Sequence, residues 1–342
     1  MHTLWVDYAK SFGIILVVYG HVLSGMFNAS VSMDENTYKI IYSIIYSFHM
    51  PLFFFLAGLF FYESLLKRGW RGLIANKIDS IAYPYILWSL LQGSIEVFLN
   101  QWTNGHTTFF EVLKLLWVPR AQFWFLYALF LVIIVGVMVY IKMEKKYFLF
   151  VAIVSSVLCI LKINNFGFFP LVYIFGNFSF FALGVLFKEI QHNVYNNRYK
   201  LLIPSFAIFV GAQYLFHGKF GLNYTIGGAS ALALAIVSIA FTVILCMCME
   251  YKKIKVLALI GSSSMAIYLV HVLAGSGARI VLTKFLHVGN YYPNLIIGCV
   301  LGVLLPIIAF KIASRIGLSF VFVIPSRLSV ERLYNSSINR IS

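Results

Sequence analysis

Three histidines lie inside long apolar segments of the sequence, where an ionisable side chain is costly to bury. They are His21, His49 and His271. An imidazole, with an ordinary pKa of about 6.5, can take a proton from a hydroxyl at neutral pH, so these three residues are candidate catalytic groups. Each also has a structural alternative: packing at His21, a hydrogen bond to a freed carbonyl at His49, and hydrogen bonding between helices at His271.

Asp7, Lys10 and His21 share one face of a predicted helix. Lys10 follows Asp7 by three residues, a spacing that allows an ion pair. His21 follows Lys10 by eleven residues, which is three turns, or ~16 Å along the axis. This face therefore carries a charged pair near one end and an imidazole beyond its middle. The alternative is an anchoring pair with a separately packed histidine.

A second polar face runs from residue 264 to residue 279. Its members follow one another at steps of three or four residues, so they form one stripe of a helix: Ser264, Tyr268, His271, Gly275 and Arg279. Such a stripe is typical of a helix face inside a bundle. Tyr268 and Arg279 are candidate substrate-binding residues, although the stripe would also serve helix assembly alone.

Pro51, two residues after His49, removes a backbone donor and is predicted to bend its helix. Backbone groups that lose a hydrogen-bond partner inside a membrane normally face protein or a cavity. We therefore expect His49 to lie against protein or beside a cavity.

Four cations follow the second apolar segment: Lys67, Arg68, Arg71 and Lys77. Guanidinium and ammonium groups suit phosphate oxygens, so the predicted loop from Glu63 to Lys77 is a candidate phosphate-binding surface. The alternative is that these cations only set membrane topology, because cytoplasmic loops collect Lys and Arg.

The composition predicts a helical membrane protein. Of 342 residues, 61% are hydrophobic and 11% are charged, whereas soluble domains keep about a quarter of their residues charged. Apolar runs that can cross ~30 Å of hydrocarbon predict an all-α, polytopic membrane bundle of about ten transmembrane helices. The predicted segments are 7–27, 40–62, 79–99, 123–141, 147–163, 168–187, 201–217, 228–249, 258–283 and 293–313.

The net charge of +15 is explained by topology, so nucleic acid is not an expected partner. Nineteen of the 26 Lys and Arg residues fall at the termini or in loops after even-numbered segments, and six fall in the other loops. This alternation predicts cytoplasmic termini. We expect a membrane-embedded domain at 1–315, with its first segment retained rather than cleaved, and a cytoplasmic tail at 316–342.

The four cysteines all fall in apolar runs and have no metal-ligand spacing, so we expect buried thiols and no bound metal. They are Cys159, Cys246, Cys248 and Cys299.

Five stretches, in order over nearly the whole chain, carry a resemblance to a known family. They run from Asp7 to His21 (DYAKSFGIILVVYGH), His49 to Phe61 (HMPLFFFLAGLFF), Lys77 to Trp88 (KIDSIAYPYILW), Phe123 to Leu131 (FWFLYALFL) and Ser262 to His271 (SSSMAIYLVH). Together they resemble the acyltransferase 3 family of integral-membrane acyltransferases, especially its fucose 4-O-acetylase-like branch. The family is marked by a basic residue, usually Arg, and a histidine separated from it by ten residues on the first helix. Here Lys10 and His21 fill that pattern, with Lys in place of Arg.

The resemblance implies a membrane O-acyltransferase, and therefore an enzyme. Its donor would be cytoplasmic acetyl-CoA or another acyl-CoA, and its acceptor a hydroxyl of a cell-envelope or lipid-linked glycan. The implied location is the bacterial inner membrane, among its lipids, as a multi-pass protein. The implied acyl-CoA-binding residues are Lys10, Arg68, Arg71 and Lys77.

In that reaction His21 would act as general base, and His49, Tyr268 or His271 would stabilise the oxyanion of the thioester carbonyl. No Ser-His-Asp ordering indicates a serine nucleophile, so direct transfer is the first hypothesis and an acyl-histidine relay the alternative. A different class also fits polar stripes and a proline-broken helix: a transporter or flippase of a lipid-linked glycan. No internal repeat is visible in support of it. A membrane sensor or scaffold would need no buried histidines.

Overall fold

The computed structural model describes residues 4–31, 33–98, 108–161 and 169–338. Within these ranges the chain is all-α, without a β-strand. The helices are α1 Leu4–Asn28, α2 Glu35–Tyr46, α3 His49–Leu59, α4 Phe61–Lys77, α5 Tyr83–Phe98, α6 Phe109–Leu113, α7 Trp124–Tyr140, α8 Phe148–Ile160, α9 Phe169–Gln213, α10 Ala229–Met249, α11 Lys255–Ser262, α12 Ser264–Ile280, α13 Tyr291–Arg315 and α14 Val330–Ile338.

Seven helical stretches among the described residues are long and apolar enough to cross a membrane, which indicates a membrane protein. They are Leu4–Asn28, Glu35–Leu59, Phe109–Tyr140, Pro170–Lys219, Ala229–Lys252, Ser264–Phe285 and Tyr291–Arg315. The predicted segments 79–99 and 147–163 correspond to the shorter helices α5 and α8, and each runs past the described residues. The count of about ten and the cytoplasmic termini stay predictions.

Two predicted loops are helical in the structure. Residues 188–200, placed between the sixth and seventh segments, lie inside α9. They are polar but include neither Gly nor Pro, so nothing in them ends a helix. The predicted loop from Glu63 to Lys77 lies in α4, which kinks at Gly69, whose φ is 66°. Conversely, the predicted segment 258–283 is broken at Ser263 between α11 and α12.

Helix α1 lies at the centre of the bundle. It packs against α3, α10, α11, α12 and α13. Large side chains along it, such as Trp5, Tyr8 and Leu23, have no exposed surface. Because protein surrounds α1 on most sides, a polar side chain on it faces other helices and cavities between them.

Helices α3 and α9 cross at a point where two glycines meet the opposite backbone. A Cβ placed on Gly184 would lie 2.0 Å from the carbonyl oxygen of Phe55, and one on Gly58 would lie 2.0 Å from that of Phe181. Small residues that let helix backbones approach are a common means of packing inside membranes. The contact fixes α3, and with it His49, against the rest of the bundle.

We predict that Gly184→Ala destabilises the protein by about 1–3 kcal/mol, because the added methyl group forces α3 and α9 apart. The measurement is the midpoint of thermal unfolding in detergent, followed by size-exclusion chromatography of heated samples. Gly211→Ala is the matched control, since Gly211 lies on the same helix and a Cβ there has no neighbour within 4 Å. Equal midpoints for the two variants would contradict this packing.

Candidate active site

Two of the three candidate histidines meet between α1 and α12. The ring centroids of His21 and His271 lie 5.0 Å apart, with an angle of 61° between the ring planes. His271 is 1% exposed, and His21 is partly buried. The structure therefore brings together two of the three histidines that the sequence singled out.

The backbone fixes the tautomer of His271. Its Nδ1 lies 2.8 Å from the carbonyl oxygen of Tyr268 and 3.1 Å from that of Ile267. A carbonyl oxygen only accepts, so Nδ1 carries the proton and Nε2 of the neutral ring carries a lone pair. Nε2 is buried and has no hydrogen-bond partner among the described residues. The ring is thus arranged to accept a proton rather than to donate one.

His49 is held at a break between α2 and α3. Phe48, between the two helices, has a non-helical φ of −144° with ψ at −16°. The Nδ1 of His49 donates to the carbonyl of Ile45 at 2.7 Å, which is the structural alternative predicted for this residue. His49 also contacts the ring of Tyr46, with centroids 4.6 Å apart.

An upper cavity of about 170 Å³ adjoins the histidine pair. Its lining comes from the last turns of α1 and from α12. His21, His271 and Arg279 all line it, together with Ser24, Asn28 and Ser276. The predicted substrate-binding residue Arg279 therefore shares a cavity with both histidines.

A lower cavity of about 170 Å³ lies nearer the start of the same two helices. Lys10 and Ile14 of α1 and Ser264 and Tyr268 of α12 line it, with apolar side chains of α3 and α7 such as Ala57. Lys10 Nζ lies 3.6 Å from Asp7 Oδ1, which is the ion pair that the sequence predicted. The predicted substrate-binding residue Tyr268 thus lies with Lys10, in a different cavity from Arg279.

Tyr268 belongs to a buried polar network that the sequence analysis missed. Its hydroxyl donates to the backbone carbonyl of Gln122. The Gln122 side chain donates to Gln92 at 2.6 Å, and Gln92 donates to Glu96 at 2.7 Å. Glu96 in turn pairs with Arg120 at 2.5 Å. A signal was present, because Gln92 and Glu96 stand four residues apart within an apolar segment.

Of the three cations after α3 that the resemblance implies for acyl-CoA binding, Arg68 and Lys77 face an acidic residue of the chain itself. Arg68 forms a salt bridge with Glu331 of α14, and Asn76 donates to the same carboxylate at 2.8 Å. Burial and the neighbouring Arg68 lower the pKa of the Lys77 ammonium, whereas Glu331 acts to raise it. The remaining cation, Arg71, lies over the Trp70 ring at 5.0 Å. None of these cations lines either cavity.

Asp79 holds the tail helix α14 on this surface. Its carboxylate accepts hydrogen bonds from Ser329 Oγ at 2.7 Å, Val330 N at 2.9 Å and Glu331 N at 3.1 Å. These donors lie at the start of α14, where backbone N–H groups have no hydrogen-bond partner within the helix. The predicted tail at 316–342 therefore packs on the bundle in its described part; residues 339–342 lie outside the described residues.

Comparison with protein families gives one match over nearly the whole chain. A family model described as an acyltransferase domain matches residues 3–311. The matched range includes both cavities and the histidine pair. Comparisons with curated proteins and with solved structures gave no match.

We predict that Asp79→Ala loosens α14, because the first turn of that helix loses its capping carboxylate. Loss of such a cap weakens a helix by about 1 kcal/mol, which corresponds to about fivefold faster hydrogen exchange. The measurement is hydrogen–deuterium exchange of residues 330–338 in the purified protein.

Asp34→Ala is the control for this variant, since Asp34 caps α2 through Thr37 N at 2.8 Å and lies far from the tail in sequence. Its effect should be confined to α2. Unchanged exchange of α14 in Asp79→Ala would show that Asp79 does not hold the tail.

Proposed function

The chain belongs to the acyltransferase 3 family, and on that premise we propose that it is a membrane O-acyltransferase. The donor is a cytoplasmic acyl-CoA, with acetyl-CoA as the first choice. The acceptor is a hydroxyl of a cell-envelope or lipid-linked glycan, in the inner membrane of a bacterium. The observation that carries the proposal is the pair of imidazoles, His21 and His271, on the wall of a polar cavity between α1 and α12.

His21 acts as general base in the proposed reaction. The acceptor hydroxyl loses its proton to the imidazole as its oxygen attacks the thioester carbonyl. The new ester C–O bond forms, the C–S bond breaks, and the proton passes to the departing thiolate. Histidine is suited to both proton transfers, because its ordinary pKa lies near neutrality.

The structure changes the role that we propose for His271. His49 and His271 direct their Nδ1–H groups at helix carbonyls, and Tyr268 directs its hydroxyl hydrogen at Gln122. In their neutral forms these three side chains have no further hydrogen to donate to an oxyanion. The His271 ring instead packs against the His21 ring, with centroids 5.0 Å apart, so we propose that His271 orients His21.

The lower cavity supports a path for the acyl-CoA arm. It begins at Lys10 and ends at Tyr268, one turn of α12 before His271. Its lining is mostly apolar, which suits the acyl group and the pantetheine chain and keeps water from the thioester. Lys10 supplies a cation where the polar end of the donor would enter.

Arg68, Arg71 and Lys77 provide a separate cationic surface for the donor phosphates. Arg68 is half-exposed and Arg71 is exposed. Their charge suits the pyrophosphate and the 3′-phosphate of coenzyme A. Glu331 occupies part of this surface, so a phosphate group that binds there competes with the tail helix α14 for Arg68.

We predict that His21→Ala lowers the rate of acyl transfer by about 10²–10⁴-fold, since general-base catalysis contributes a factor of this size. The measurement is transfer of radiolabelled acetyl from acetyl-CoA to envelope glycan in membranes that contain the chain. His192→Ala is the matched control, because His192 is exposed on α9 and lines neither cavity.

Full activity of a normally inserted His21→Ala protein would contradict the catalytic assignment. If membranes with the unaltered chain label no glycan, the enzyme proposal fails as a whole, and movement of a lipid-linked glycan across the membrane becomes the function to measure.

We predict that Ala57→Phe lowers kcat/KM for acetyl-CoA by about tenfold or more, because the added ring fills the lower cavity and excludes the donor. Ala240→Phe is the control. Ala240 lies in a separate apolar groove between α9 and α10, lined by residues such as Leu186 and Ile239. An Ala57→Phe protein with normal thermal stability and unchanged kinetics would show that the donor takes another route.

A further inference from the structure

The upper cavity is positively charged and has no carboxylate in its lining. All its lining residues are among those that the structure describes, and none is Asp or Glu. The polar members are His21, Ser24, Asn28, His271, Ser276 and Arg279. A neutral sugar presents many hydroxyl donors, for which carboxylates are strong acceptors. This lining instead carries the guanidinium of Arg279, which only donates, beside neutral groups that both donate and accept.

Arg279 reaches back toward the histidine pair. Side chains on an α-helix lean toward its N-terminus, so the guanidinium of Arg279 lies over the turn that separates it from His271. It also approaches α1, since Arg279 Nε lies 3.9 Å from the position of a Cβ on Gly25. Gly25 is one turn, or ~6 Å, beyond His21 on α1. The cation and the proposed base are thus separated by a distance comparable with the breadth of one sugar ring.

A guanidinium at such a site recognises oxyacids. Its planar fork matches carboxylate and phosphate oxygens with two hydrogen bonds, and the half-buried position strengthens the attraction. The two seryl hydroxyls and the amide of Asn28 add donors for the remaining oxygens.

We propose that the acceptor carries an anionic oxyacid group, a carboxylate or a phosphate, within about one sugar ring of the hydroxyl that is acylated, and that Arg279 binds it. The inference rests on the proposed function for the identity of that hydroxyl. The group belongs to a sugar acid or to a sugar phosphate, and the two share the chemistry that Arg279 recognises.

Ligand-induced stabilisation tests the site without requiring turnover. The thermal midpoint of the purified full-length chain is measured at constant ionic strength with methyl β-glucoside, methyl β-glucuronide or glucose 6-phosphate. Binding to the folded state raises the midpoint. We expect the glucuronide or the phosphate to raise it more than the neutral glucoside, and the stronger of the two identifies the source of the anion.

Three variants test whether the preference for the anionic sugar depends on Arg279 or on the overall positive charge of the chain. Arg279→Gln should abolish the preference for the anionic sugar. Ser276→Glu should abolish it too, because it places a carboxylate in the same cavity, and it serves as the test if Arg279→Gln fails to fold. Lys284→Gln should keep the preference, since Lys284 is exposed, follows the end of α12 by four residues and lies outside the cavity.

The proposal is overturned if the neutral glucoside stabilises the chain as much as both anionic sugars do, or if the preference survives in Arg279→Gln and Ser276→Glu. Transfer of radiolabelled acetyl to the same three sugars is measured separately. Arg279-dependent binding without any transfer supports the anion site and contradicts the enzyme proposal. Equal transfer to the neutral and anionic sugars contradicts the anion site and supports the enzyme.

Discussion

The proposed chemistry depends on the close packing of α1 against α11 and α12. An imidazole on a lipid-facing helix would have no polar partner, whereas α1 is enclosed by other helices and turns His21 toward His271. The approach is closest at Gly261 of α11, where a Cβ would lie 1.9 Å from the carbonyl oxygen of Asp7. Because α12 follows α11 directly, this backbone contact also sets the position of the helix that carries His271.

The same pair of helices carries two cavities of different character. The lower one is mostly apolar and starts at Lys10, and the upper one is polar and ends at Arg279. His21 lines the upper cavity, three helical turns above Lys10. In the proposed reaction, this order gives the acyl donor and the hydroxyl acceptor separate approaches to one imidazole. Because the two cavities follow one another along α12, Tyr268 and Arg279 line different cavities although they share one stripe of that helix.

The sequence predicted the all-α class, the pairing of Asp7 with Lys10 and the polar stripe on α12, whose residues line the two cavities. It did so because helical periodicity places residues along an axis and on a face. Periodicity does not give the orientation of one helix about another, so the distance between His21 and His271 required the fold. The link from Gln122 to Tyr268 depended on a contact between residues 146 positions apart. The charges from Glu63 to Lys77 led to the prediction of a loop, whereas this segment is helical in the structure. Charge does not exclude a helix, because Lys and Arg also form helices well.

An experimental structure of the His21→Ala chain with bound acetyl-CoA tests the central claim most directly. The account predicts that the pantetheine arm runs through the lower cavity past Lys10 and Tyr268. It also predicts that the thioester carbonyl lies beside the position left by the His21 ring. A thioester bound outside both cavities, with no access to the space between α1 and α12, would contradict the account.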